Sequence, residues 1–180
     1  MIELRPMTPE FLEAALDGRL EEAERLIGAE LPEDFLRERG RRFFAMRLKQ
    51  MRSDARFLQW CPHVVVSEGR MIGHAGYHGP PGANANNDET AVEIGYLIEP
   101  PFRGRGHATA AAVELLRRAE ERGVRHYIAS VSPTNDPSLA IVRKLGFVET
   151  GERMDEEDGL ELVFELERPL GNELDQEVQG

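Results

Sequence analysis

The chain has 180 residues, 41% of them hydrophobic and 31% charged, which suits one globular domain with a sizeable core and excludes a disordered or fibrous chain. Its net charge of −11 repels a phosphate backbone and argues against nucleic-acid partners. Cys61 is the single cysteine, the leading MIELRPMTPEF carries neither an apolar signal core nor a basic leader, and no stretch approaches the roughly 20 apolar residues of a membrane span, so a soluble, cytoplasmic protein is expected.

Ile2, Leu4 and Met7 predict a short first strand. Thr8-Pro9-Glu10 then supplies a helix start, with threonine as N-cap and proline in the first turn. Asp17-Gly18 splits the apolar helical pattern into two short helices, and Pro32-Glu33-Asp34 opens a third that ends near Ser53. That helix carries five arginines and one lysine between Arg37 and Lys49, a solvated basic face with apolar backing or a contact for an acidic partner. Trp60–Val66 and Met71–Tyr77 are β-rich, and Ser67-Glu68-Gly69-Arg70 joins them as a hairpin. A loop, GPPGANANNDE, follows.

Ala91–Ile98, AVEIGYLI, is a nearly continuous apolar strand. Beyond a Pro-Pro and Gly-Arg loop, a helix is predicted from Gly106 to Arg122, because Ala108, Ala111, Ala112, Leu115, Leu116 and Ala119 follow helical spacing. His126–Val131 predicts a strand, Pro137–Leu145 a short helix, and Phe147–Thr150 and Leu160–Glu165 two strands flanking the acidic turn MDEEDG. These elements make one α+β domain with a mixed sheet over 1–168, followed by an acidic, flexible tail over 169–180. Residues 151–180 hold eleven Asp or Glu against two Arg, so any anion site is expected upstream.

The strongest local signal is Arg103-Gly104-Arg105-Gly106-His107-Ala108, between a buried strand and the first turn of a helix. A helix N-terminus offers free N–H groups and a positive dipole end, and glycine lets the backbone approach an anion, so the loop can cradle a pyrophosphate. A basic turn without ligand is the alternative. The loop lacks the GKS or GKT of a P-loop and the three glycines of a dinucleotide fingerprint.

With these residues in place, the sequence resembles the GCN5-related N-acetyltransferase (GNAT) superfamily, whose acetyl-CoA loop reads Arg/Gln-x-x-Gly-x-Gly/Ala; Arg103, Gly106 and Ala108 fill it. Val92-Glu93-Ile94-Gly95-Tyr96 is similar to the strand of the ribosomal-protein N-acetyltransferase branch, and Asn135-x-x-Ser138 followed by Lys144-Leu145-Gly146-Phe147 extends the likeness. The resemblance implies a central, mostly antiparallel, twisted sheet of six to seven strands flanked by helices, with a V-shaped splay between strands 4 and 5. It implies acetyl-CoA as co-substrate and no metal. The pyrophosphate would rest on Gly104, Arg105, Gly106, His107 and Ala108 with Arg103 at the mouth. Backbone groups of Leu97 and Ile98, together with Asn135 and Ser138, would hold the pantetheine arm.

Acetyl transfer to an amine needs a neutral nucleophile, and an alkyl ammonium with a pKa of about 10 must lose a proton first. Glu93 is the candidate base, sharing a strand face with Gly95 and Leu97; an ordinary paired carboxylate is the alternative. His74, Tyr77 and His78 are candidate acceptor-site residues, and either histidine is a candidate base or half of a structural pair. Further metal ligands are lacking. Asp155, Glu156, Glu157 and Asp158 would attract a cationic amine or form a solvated turn. Two family features are missing: Val142 stands where a general-acid tyrosine is usual, and Ser130 where alanine-N-acetylating members carry a glutamate. The resemblance thus implies an N-acetyltransferase acting on a primary amine of a small molecule or a protein N-terminus, by direct attack or by positioning alone. A non-catalytic acyl-CoA-binding or sensing domain is the alternative, and a homodimer stays open.

Overall fold

A computed structural model describes residues 1–32, 35–36, 38–155 and 159–168; the 169–180 tail and most of the acidic turn, 156–158, lie outside them. Strand β1 (Glu3–Pro6) leads into α1 (Pro9–Leu16), where the Thr8 hydroxyl accepts from the Phe11 N–H at 3.3 Å. Gly18 at φ +78° ends that helix, and α2 (Leu20–Ile27) stops at Gly28 with φ +71°, left-handed positions that glycine fills without a Cβ clash. Helix α3 spans Glu38–Ser53. Its end matches expectation, but its start comes later than Pro32, whose carbonyl instead accepts from the Phe35 N–H at 3.0 Å in a separate turn.

A short helix, α4 (Arg56–Gln59), precedes the hairpin of β2 (His63–Ser67) and β3 (Arg70–Tyr77). Strand β4 covers Ala91–Ile98, a 3-10 turn covers Pro100–Phe102, and α5 covers His107–Glu121. Then come β5 (His126–Val131), α6 (Asp136–Lys144), β6 (Val148–Asp155) and β7 (Gly159–Glu167). The seven strands form one mixed sheet in the order β1-β2-β3-β4-β5-β7-β6. All neighbours are antiparallel except β4 and β5.

Two apolar layers sandwich the sheet. On one face α1, α2 and α3 bury Phe11, Leu12, Ile27 and Phe44 against Val64, Val66 and Met71. On the other, α5 packs its small stripe, with Ala111, Ala112, Leu115, Leu116 and Ala119 fully buried, onto Ile72, Ala75, Val92 and Ile94. Alanines let this helix approach the sheet closely.

The feature that positions the site is the junction of β4 and β5. They pair only at Ala91↔His126, Val92↔Tyr127 and Glu93↔Ile128; beyond, Ile94–Ile98 and Ala129–Val131 part. The splay expected between strands 4 and 5 is this gap.

Candidate active site

At the end of β4 the chain turns back on itself, and the Arg103 Nε–H donates to the Ile98 carbonyl at 2.7 Å. That bond clamps the loop to the strand. Gly104 and Gly106 sit at φ +74° and +78° with no atom within 4 Å of a built Cβ, so the loop surface is open on that side. Gly106 is the N-cap of α5 and brings no side-chain hydrogen bond. The first N–H groups of the helix, from His107 and Ala108 onward, therefore have no intrahelical partner, and the positive dipole end stands beside exposed Arg105. This is a cradle suited to a small anion.

The alternation of the β3–β4 ladder decides which backbone groups of β4 face the gap. His78 N–H donates to the Glu93 carbonyl at 2.8 Å, and Glu99 N–H donates to the Ile72 carbonyl at 2.9 Å. Odd-numbered β4 residues thus bond to β3, and Ile94, Tyr96 and Ile98 turn their backbone groups toward β5. This corrects the expectation for Leu97: its carbonyl oxygen faces β3, where a Cβ on Gly73 would collide with it. Ile98 does face the gap, although Arg103 occupies its carbonyl.

Across the gap, the Asn135 side-chain oxygen caps α6 by accepting from the Ser138 N–H at 3.3 Å. Its amide donors lie on the exposed side of that cap. Ser138 is half-buried beside Tyr96, whose buried hydroxyl approaches the Ser138 side chain without a well-formed hydrogen bond; burial pushes the phenol up to about 12, and Ser138 opposes that rise.

The opposite face of β4 carries a polar cluster. Glu93 is fully buried; Oε2 accepts from the Ala85 N–H at 2.7 Å and Oε1 from the Ser130 hydroxyl at 2.6 Å. His78 Nδ1 is 3.4 Å and Arg153 Nη2 3.8 Å from Oε1, and Arg153 also pairs with Glu161 at 2.9 Å. Ser130, read from the sequence as the loss of a catalytic glutamate, is a direct partner of Glu93. Arg153 and Glu161 escaped the sequence reading altogether, because β7 inserts between β5 and β6 and only that strand order brings them alongside.

His74 shares this face, as its four-residue spacing from His78 requires, but it is packed against Phe43 and Phe44, with ring centroids 5.6 Å from each. Burial, with help from Arg47, lowers its pKa to about 4. Arg47 was expected on a solvated face; it is instead 5% exposed, stacked 4.9 Å from the Phe43 ring centroid and donating to the His78 carbonyl and to Gln50. Tyr77 is a second correction. It points to the other side of the sheet, fully buried, with its hydroxyl donating to the Leu115 carbonyl at 2.6 Å and its ring against Trp60. An acceptor cannot reach it there. Among the described residues no three His, Cys, Asp or Glu groups converge as a metal set, and no helix is long and apolar enough to cross a membrane.

A family model of the acetyltransferase (GNAT) domain matches residues 2–148. The chain belongs to the GNAT acetyltransferase family. It is 29% identical over 91 residues to an uncharacterized N-acetyltransferase of Bacillus subtilis, YnaD, a match that spans half of this chain and half the length of that relative. Similar solved structures include a ribosomal-protein-alanine N-acetyltransferase from Brucella melitensis, with 22% identity and a TM-score of 0.61 over 92% of this chain and 99% of that one. Another is YncA, a putative acetyltransferase from Salmonella typhimurium with its cofactor acetyl-CoA, with 18% identity and a TM-score of 0.61 over 97% and 98%. The chain thus carries an acetyltransferase (GNAT) domain, and its fold is shared with these structures.

Proposed function

We propose that residues 1–168 form a single N-acetyltransferase domain that moves the acetyl group of acetyl-CoA directly onto a primary amine, of a small molecule or of a protein N-terminus. The observation that carries this reading is the gap between β4 and β5, which opens beside the uncapped N-terminus of α5 and its two left-handed glycines. The amides of Gly104–Ala108 would hold the pyrophosphate, with Arg103 and Arg105 alongside. The pantetheine arm would run along the edge of β4, bonding to outward backbone groups at Ile94, Tyr96 and Ile98 and to the free amide donors of Asn135. A thioester carbonyl in that position meets a backbone N–H of the splayed strand as its oxyanion develops.

Both substrates would then meet in one ternary complex, the acyl group on the strand edge and the amine approaching from the face that carries Glu93 and His78. Holding them together contributes several kcal/mol through orientation alone.

Gly106→Glu tests the cofactor half of this reading. The substitution places bulk and negative charge where phosphate must rest and is strained at φ +78°; calorimetry should find no acetyl-CoA binding while circular dichroism still reports a folded protein. Unchanged binding would place the cofactor elsewhere. Amine-dependent release of coenzyme A from the wild type tests the acceptor half, and binding without such release would favour an acyl-CoA-sensing role.

A further inference from the structure

Glu93 lies on the strand face expected of a base, yet its carboxylate is sealed from solvent and both oxygens are engaged, by Ala85 N–H and the Ser130 hydroxyl. A carboxylate so enclosed cannot touch an incoming amine. His78, at the end of β3, is a neighbour of that carboxylate that keeps access to solvent on the same sheet face. It faces Glu93 across the β3–β4 ladder, keeps 39% of its side chain exposed, and sets Nδ1 3.4 Å from Glu93 Oε1. The other nitrogen, Nε2, lies over Gly95, 3.3 Å from where a Cβ would sit. Gly95 is two residues past the last β4–β5 pair, inside the splayed half, and the missing side chain leaves room for the ring.

We propose that His78 is the catalytic base of this acetyltransferase and that Glu93, fixed by Ser130, Ala85 and Arg153, is its positioning residue. The inference rests on the amine-acetylation reading above. On this proposal the Nδ1–H turns to Glu93 Oε1, 3.4 Å away, and leaves the lone pair on Nε2, the nitrogen over Gly95 in the splayed half of β4. Nε2 takes one proton from the acceptor ammonium, and the freed nitrogen attacks the thioester carbon. The C–S bond breaks with its electron pair on sulfur. The second proton lost from nitrogen ends on that sulfur, and the imidazolium returns its own to solvent. The products are the amide, the thiol and one released proton.

The charged groups that face His78 are Glu93 from β4, Arg47 from α3, and Arg153 and Asp155 from β6. Burial lowers the imidazole's pKa; Glu93 and Asp155 oppose that, while Arg47 and Arg153 add to it. The net lowering favours the neutral ring, the form that accepts a proton. Activity should be lost as pH falls through this lowered value, and Glu93→Gln should move that acid limb to still lower pH.

The test combines nitrogen NMR of the imidazoles with steady-state kinetics. The His78 signals are assigned by their loss in His78→Gln. Supporting results are a neutral ring at pH 7 with its proton on Nδ1, and titration below the ordinary histidine value that drops further in Glu93→Gln. A proton on Nε2, or titration above the ordinary value, would overturn the proposal. With alaninamide and benzylamine as acceptor probes, His78→Gln should lower kcat about 100-fold or more, with partial rescue by added imidazole, while Glu93→Gln loses less. Calorimetric binding of coenzyme A shows that each variant is folded. Loss confined to Glu93→Gln, with His78→Gln within about threefold of wild type, would make Glu93 the base instead. If neither probe releases coenzyme A from the wild type, the amine reading fails for these acceptors, and the NMR tautomer still decides the role of His78.

Discussion

Two tyrosines show how strongly the effect of one hydroxyl depends on its partner. Tyr77 donates to the Leu115 carbonyl at 2.6 Å and so ties β3 to α5, whereas the buried Tyr96 hydroxyl has only a loose approach to Ser138 and no well-formed hydrogen bond. Removing a made, buried hydrogen bond costs about 1 kcal/mol or more, and removing an unmet hydroxyl costs nothing on that account. Tyr77→Phe should therefore lower the stability measured by urea denaturation by about 1–2 kcal/mol, while Tyr96→Phe leaves it level or raised. Equal losses in the two variants would mean that the approach of Tyr96 to Ser138 closes into a full hydrogen bond. Ser130→Ala should cost about 1–3 kcal/mol, because it strips a 2.6 Å bond from the fully buried Glu93 carboxylate. At this scale the sequence is least informative. Glu93 and His78 stand out as titratable residues in apolar strands, but nothing in a lone serine or a distant arginine says that they share the same pocket of charge.

Elements were legible where their periodicity is strong. The AVEIGYLI run stands out because β4 buries Val92, Ile94 and Ile98 against α5 on one face and sets Ala91 beside Ile128, Val163 and Ala85 on the other, and α5 declares itself through its small stripe. The helix α4 and the 3-10 turn after β4 are four and three residues long, too short to show a period. Strand β6 runs on to Asp155, well past Thr150, because as an exposed edge strand it needs no apolar alternation and its register shift near Gly151 resembles a break. The spacing of β3 and β4 depends on a less visible device. A Cβ on Gly73 would collide with the Leu97 carbonyl and come within 2.9 Å of the Ile98 Cα, both backbone atoms. Gly73→Ala must push the two strands apart at the site's own edge, so a loss of about 1–3 kcal/mol or more is expected, together with weakened acetyl-CoA binding. Gly151→Ala is the control, since a Cβ there meets nothing within 4 Å. Denaturation curves for the pair check the argument, and a mild effect of Gly73→Ala would mean that the strands slide freely.

For the molecule as a whole, the response to acid sets two effects against each other. The net charge of −11 shrinks toward zero as pH falls to the isoelectric point near 5.0, which relieves self-repulsion and favours the folded state. Against this stand the lowered histidines: His78, which acts in the same sense, and two held in different places, His63 at the head of β2 with an unpartnered Nδ1 and His74 against Phe43 and Phe44. Burial lowers both to about 4 from an ordinary 6.5. Below 6.5 the unfolded chain takes up protons that these native sites refuse, so stability falls with pH until about 4 and no further on their account. Each shift corresponds to about 3 kcal/mol, more than the relief of diffuse surface charge supplies. Glu114, lowered to about 2 by Arg117 and Arg118, destabilises only below the ordinary glutamate range, so the windows separate. Urea midpoints should therefore drop between pH 6.5 and pH 4.5, and His63→Gln or His74→Gln should each flatten that slope whatever it does to stability at pH 7. A wild-type midpoint that rises over this window would show that charge relief wins and that both imidazoles reach water.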